Sequence, residues 1–162
     1  EAAQGEICTA ANDNASGQIV LSGATAAIER AVEIAAEKGA KRCILLPVSA
    51  PFHCAMMAPA ADVMADELAA MLIEEPIIPV VANVTADAQS APDEIRRLLV
   101  EQVTARVRWR ESVLFMKENG VDTFVEIGAG KVLTGLARRI DRDLTGISIQ
   151  TPADIEEFLK TL

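Results

Sequence analysis

Asp122 to Ile140 reads DTFVEIGAGKVLTGLARRI, and the architecture turns on how this stretch folds. DTFVEI is a short run of strand formers, GAG is a tight turn, and KVLTGLARRI carries apolar residues at helical spacing. A strand that turns sharply into a helix is half of a β-α-β unit. GISI, residues 146–149, supplies the next strand, and PADIEEFLKTL, residues 152–162, closes the chain as a helix. Upstream, WRESVLFMKENG, residues 109–120, reads as a helix stopped by glycine. Pro92 opens another helix, in which Ile95, Leu98, Leu99 and Gln102 share one face. PVVANV, residues 79–84, is a continuous apolar run, the pattern of a strand covered on both faces. From Pro79 onward strands alternate with helices, which predicts a parallel α/β sheet.

The first 46 residues differ. EICTA (6–10) and QIVLS (18–22) read as two strands of a hairpin, joined by the turn-rich link ANDNASG. Ile28, Ala31, Val32 and Ala35 fall at helical spacing, with Lys38 in the last turn and Gly39 at the left-handed position beyond it. RCILL (42–46) reads as a third strand. Pro47, Pro51 and Pro59 then frame a loop that carries His53, the only histidine. Pro59 suits the first turn of the next helix, whose expected buried stripe is Met64, Leu68, Met71 and Leu72.

The 162 residues suit one domain or a large piece of a bigger fold, and 51% of them are apolar, enough for a core. A net charge of −9 opposes binding to nucleic-acid phosphates. No apolar run approaches the roughly 18–20 residues that span a bilayer. The three cysteines, Cys8, Cys43 and Cys54, lack the C-x-x-C spacing of a zinc site, so reduced thiols in a cytoplasmic protein are expected. No pattern calls for a metal or cofactor. The opening EAAQGEI has neither an initiator Met nor a signal segment, and reads as an internal start.

GAGKVLTG invites comparison with a phosphate loop, but Val125 and Val132 stand where the P-loop needs glycine and Ser or Thr. Leu133 likewise replaces the third glycine of the dinucleotide pattern. A tight turn is the plain reading, with anion binding at the helix terminus as the alternative. Cys54 adjoins His53, yet neighbours in extended chain point to opposite faces, which favours a small buried hydrophobe over a dyad. None of Ser16, Ser22, Ser49, Ser90, Ser112 and Ser148 sits in the G-x-S-x-G elbow of an acyl-transferring serine. His53 itself has two readings. It is a packed or surface side chain, or it is a proton carrier in an irregular loop at a strand end, where α/β proteins place functional groups.

LPVSAPFHCAMMAPAAD, PVVANVTAD, VRWRESVLFMKENGV and FVEIGAGKVLTGLARRI, taken in order, resemble the malonyl-CoA:acyl carrier protein transacylases of type II fatty acid synthesis. NDNASGQIVLSG is similar to that family's N-x-N-x-x-G-Q-x-V-x-x-G stretch. The resemblance covers nearly the whole chain but only the C-terminal half of such an enzyme. It implies a C-terminal part of an α/β-hydrolase-like parallel-sheet core, residues 49–162. It also implies the remainder of a small ferredoxin-like subdomain, residues 1–48, without its first strand and helix. The family's serine elbow and its carboxylate-binding arginine belong to the missing N-terminal half, which becomes an expected partner.

On the same resemblance the family's catalytic histidine falls on His53. The main-chain carbonyl that orients it falls on Gln102, and a residue lining the acyl site falls on Asn14. The implied activity is ping-pong transfer of malonyl from malonyl-CoA to acyl carrier protein through a seryl ester, with this chain alone inactive. Cys54 stands where the family often has serine, and Phe52 resembles the malonyl-selecting form of related acyltransferase domains. Lys131, Arg138 and Arg139 suit either an acidic carrier or a solvated helix face. Two other readings remain: an acyltransferase domain of a multifunctional polyketide or fatty acid synthase, and a non-catalytic α/β interaction module.

Overall fold

The computed structural model describes residues 1–161. It opens with an antiparallel hairpin of β1 (Cys8–Ala15) and β2 (Gln18–Gly23). The strand runs through Asn12–Ala15, so the expected link shrinks to a turn at Ser16 and Gly17, where Gly17 takes a φ of 75°. Two forces outweigh the turn propensity of this stretch. Main-chain pairing with β2 is one. The other is burial of the alternating face Ala11, Asp13 and Ala15. The far edge of β1 is also engaged, because Asp13 N–H donates to Val107 O at 2.9 Å and Val107 N–H to Ala11 O at 2.8 Å.

Helix α1 (Thr25–Glu37) buries Ala27 and Ala31 and ends as expected, with Gly39 at a φ of 89°. Gly23 precedes it at a φ of 155°, where an added Cβ would lie 1.9 Å from Ile7 O. Only glycine permits that approach.

Residues 42–46 form no strand. A strand needs a neighbour's backbone, and among the described residues none pairs with this segment. Ile44, Leu45 and Leu46 are each more than half exposed. A single 3₁₀ turn (Ala55–Met57) leads into α2 (Ala58–Ala70), with Pro59 in its first turn. Of the expected stripe only Leu68 is buried, while Met64, Met71 and Leu72 face outward. PVVANV is likewise not a strand covered on both faces. Val80–Val81 (β3) pairs antiparallel with Ala88–Gln89 (β4), and Val80 is exposed.

Helix α3 (Pro92–Glu101) packs on α2, and the Arg96 guanidinium donates to the carbonyls of Leu68 and Met71. Helix α4 (Trp109–Glu118) lies between the hairpin and α5 (Val132–Ile140), with Val113 wholly buried. The pairing of β5 (Thr123–Ile127) with β6 (Thr145–Ile149) is parallel, from Thr123↔Thr145 to Ile127↔Ile149, with α5 connecting them. This is the β-α-β unit expected from DTFVEIGAGKVLTGLARRI. Helix α6 (Pro152–Leu159) is closed by a reciprocal capping box between Thr151 and Asp154. The class is mixed α/β. Among the described residues, however, the strands form three separate two-stranded sheets, not one.

Candidate functional site

Pro51 and the 3₁₀ turn at Ala55 bend the chain so that His53 takes a φ of 57°. Cys54, next to it, turns the other way. It is buried, and its thiol donates to Pro51 O at 3.1 Å, closing the loop from beneath. The half-buried imidazole is thereby presented outward.

Gln102 caps the C-terminus of α3. Its carbonyl lies beyond the last turn, where intrahelical donors run out. His53 Nδ1 lies 2.8 Å from Gln102 O. A carbonyl oxygen only accepts, so Nδ1 carries the proton and Nε2 bears the lone pair. Among the described residues nothing hydrogen-bonds Nε2.

The ring faces an open hollow of about 510 Å³. Phe52, Met57, Met64, Leu68, Leu99 and Val103 line it with Ala60, and the polar groups are His53, Asn83 and Gln102. Apolar walls with few convergent polar groups suit a small organic ligand. No serine, cysteine or carboxylate lines the hollow among the described residues. Ser112 is buried in α4 and donates to Arg108 O, and Ser148 donates to Gly130 O.

Asn83 was not singled out by sequence reasoning, which took it as one residue of an apolar strand. Its Nδ2 donates to Gln102 Oε1 at 2.8 Å. The one available signal was a polar amide inside PVVANV. Arg108 fixes the segment that carries it. The Arg108 main-chain N–H donates to Asn83 O at 3.1 Å, and its Nη1 donates to Val84 O and Thr85 O at 3.1 and 2.9 Å. Arg108 also grips Glu111, whose carboxyl this hydrogen bond holds below its ordinary pKa, and Glu111 in turn raises that of the guanidinium.

Asn14 is half-buried on β1 and is absent from the lining of the hollow. The structure thus brings His53 and Gln102 together, adds Asn83, and does not bring in Asn14.

The glycine turn has an occupant of its own. Glu126 Oε1 accepts from Val132 N–H at 3.1 Å, and Oε2 accepts from Thr134 N–H at 2.9 Å and Thr134 Oγ1 at 3.0 Å. A carboxylate of the chain therefore sits where an anion at the α5 N-terminus would bind. These bonds, chiefly that from Thr134 N–H, lower the Glu126 pKa.

No family model matches the chain. It is 46% identical over 162 residues to the malonyl CoA-acyl carrier protein transacylase of Haemophilus influenzae, covering 98% of this chain and 52% of that protein. The Escherichia coli protein of the same name is 44% identical, covering 99% and 52%. Among solved structures, the acyl-carrier-protein S-malonyltransferase of Bartonella henselae aligns with a TM-score of 0.94 at 52% identity, covering 99% of this chain and 51% of that one. A malonyl-transacylase solved in complex with its type II PKS acyl-carrier protein aligns with a TM-score of 0.94 at 41% identity, covering 99% and 52%. The chain spans about half the length of the curated relatives it matches.

Proposed function

We propose, for a chain that corresponds to the C-terminal half of the malonyl CoA-acyl carrier protein transacylases, that it supplies the general base of a malonyl transfer from CoA to acyl carrier protein. One observation carries this reading: His53 donates through Nδ1 to the Gln102 carbonyl at 2.8 Å and, among the described residues, leaves Nε2 without a partner at an open hollow. An imidazole held at one nitrogen and free at the other is built to move protons.

The nucleophile is a serine of the N-terminal half, docked at the hollow. His53 Nε2 takes the hydroxyl proton as the oxygen attacks the malonyl thioester carbonyl. Collapse of the tetrahedral adduct breaks the C–S bond, and the departing CoA thiolate recovers that proton from the imidazolium. A malonyl seryl ester remains. In the second half-reaction the phosphopantetheine thiol of the carrier gives its proton to Nε2 and attacks the ester. The serine oxygen leaves and takes the proton back. Asn14, which does not line the His53 hollow, is assigned to the acyl site of the joined halves on the family resemblance alone. In the complete protein, residues 49–162 belong to a hydrolase-like core and residues 1–48 to a ferredoxin-like subdomain, in a cytoplasmic enzyme of fatty acid synthesis.

The test uses the complete polypeptide and the isolated chain. His53→Ala in the complete protein is expected to slow malonyl transfer on the order of 10²–10⁴-fold. The isolated chain is expected to form no malonyl ester, and mixing it with the N-terminal half is expected to restore transfer. Turnover by the chain alone, or full activity of His53→Ala, overturns the reading.

A further inference from the structure

Gln102 is held at two points. Its main-chain oxygen accepts from His53 Nδ1 and its side-chain Oε1 accepts from Asn83 Nδ2, both at 2.8 Å. We infer that Asn83 is a positioning residue for His53, acting through Gln102, an inference that rests on the proton-transfer role proposed above.

The geometry explains why residue 102 needs a second anchor. It is the cap of α3, with a φ of −61° and a ψ of −21°, and the chain leaves the helix there through turns in which Val103 N–H donates to Val100 O and the Thr104 and Ala105 N–H groups to Glu101 O. Helix ends fray, and a small rotation about the main chain at the cap would swing the carbonyl away from the imidazole. The side-chain amide bond ties that cap to a second, independently fixed segment. Asn83 is fixed because its own carbonyl accepts from Arg108 N–H, and because the Arg108 guanidinium clamps the next two carbonyls.

Asn83, Leu99 and Gln102 also form the wall between the His53 hollow and a smaller one of about 190 Å³ between β3 and α3. Apolar side chains such as Val81 and Ile95 line that second space. Gln89 is its one further polar side chain and makes no hydrogen bond to Gln102, so among the described residues Asn83 alone holds the Gln102 amide.

The experiment compares Asn83→Leu, Gln102→Met, the double variant and Gln102→Glu with the parent, all in the complete polypeptide. Leu removes the donor at similar volume. Met removes the side-chain acceptor and keeps the main-chain carbonyl. Glu keeps an acceptor for Asn83. The expected result is a roughly 10- to 100-fold fall in kcat with little change in KM for Asn83→Leu and for Gln102→Met, as for a misplaced catalytic group. The double variant should fall no further than either single one. Gln102→Glu should retain most of kcat. The His53 Nδ1–H proton resonance should broaden or vanish in the two single variants and persist in Gln102→Glu.

Unchanged kcat in Gln102→Met, or additive losses in the double variant, overturns the inference. If Asn83→Leu fails to fold, Gln102→Met and Gln102→Glu decide the matter alone. His53→Ala serves as the control for the underlying reading. If it too leaves transfer intact, the proton-transfer role falls. If it abolishes transfer while the Asn83 and Gln102 variants are unaffected, only the positioning role falls.

Discussion

His53 pays for its position in backbone strain. A left-handed φ of 57° at a non-glycine residue costs on the order of 1–3 kcal/mol and persists only where its surroundings fix it. Here the fixing groups are the Cys54 thiol on Pro51 O and the Gln102 carbonyl on Nδ1. A second fixed point lies at Asp13, buried on β1 and bonded by Arg110 Nε and Nη2 at 2.8–3.1 Å. This pair ties the hairpin to α4 across 97 residues of chain. Arg110→Ala would strand a buried carboxylate, and a loss of about 1–3 kcal/mol is expected. Thermal unfolding of the complete protein checks it. Asp13→Asn should cost less than Arg110→Ala, because a neutral amide tolerates burial better than an unpaired charge.

At the scale of elements, α5 illustrates how a turn, a cap and a strand cooperate. Glu126 on β5 caps the helix that follows it, and Gly146 on β6 lets that helix approach, since a Cβ there would lie 2.9 Å from Thr134 Cβ. The cap makes stability depend on pH. Its hydrogen bonds lower the Glu126 pKa in the folded state, as those from the main chain of residues 150 and 151 lower that of Asp154 at the α6 cap. A proton therefore binds the unfolded chain more readily than the folded one. The stabilisation is fully present above the ordinary carboxylate range, about pH 4, and is lost as pH falls through the lowered folded values. The melting temperature should drop on acidification through that window, and Glu126→Gln should flatten the drop. An equal slope in the variant would show that the cap carries no such linkage.

At the scale of the whole molecule, apolar surface is the dominant fact. Ile127, Leu72 and Ile78 are each at least three-quarters exposed, and Ile44, Leu45, Leu46 and Val48 add an uncovered run. An exposed apolar run such as residues 44–48 is the kind of surface that marks an interface. The isolated chain is expected to self-associate, or to bind the half of the protein that its relatives possess and it does not span. Sedimentation of the chain alone and with that half checks this. A monodisperse monomer that unfolds cooperatively would contradict it.

Features under local chemical control were legible in the sequence. It specified the β5-α5-β6 unit, the helix ends at Gly39 and Gly120, the hairpin pairing, and the prolyl loop that carries His53, because strand runs, glycine stops and turn residues act over a few positions. The rest depended on long-range packing. RCILL and PVVANV have the composition of buried strands, yet a strand forms only where another backbone lies alongside, and composition cannot report whether one does. Asn12–Ala15 reads as turn and is strand, because β2 and Arg110 hold it. The bond from Asn83 to Gln102 joins side chains 19 residues apart, and its existence depends on where α3 ends relative to the loop after β3. Such long-range pairing is set by packing, which no short window of residues encodes.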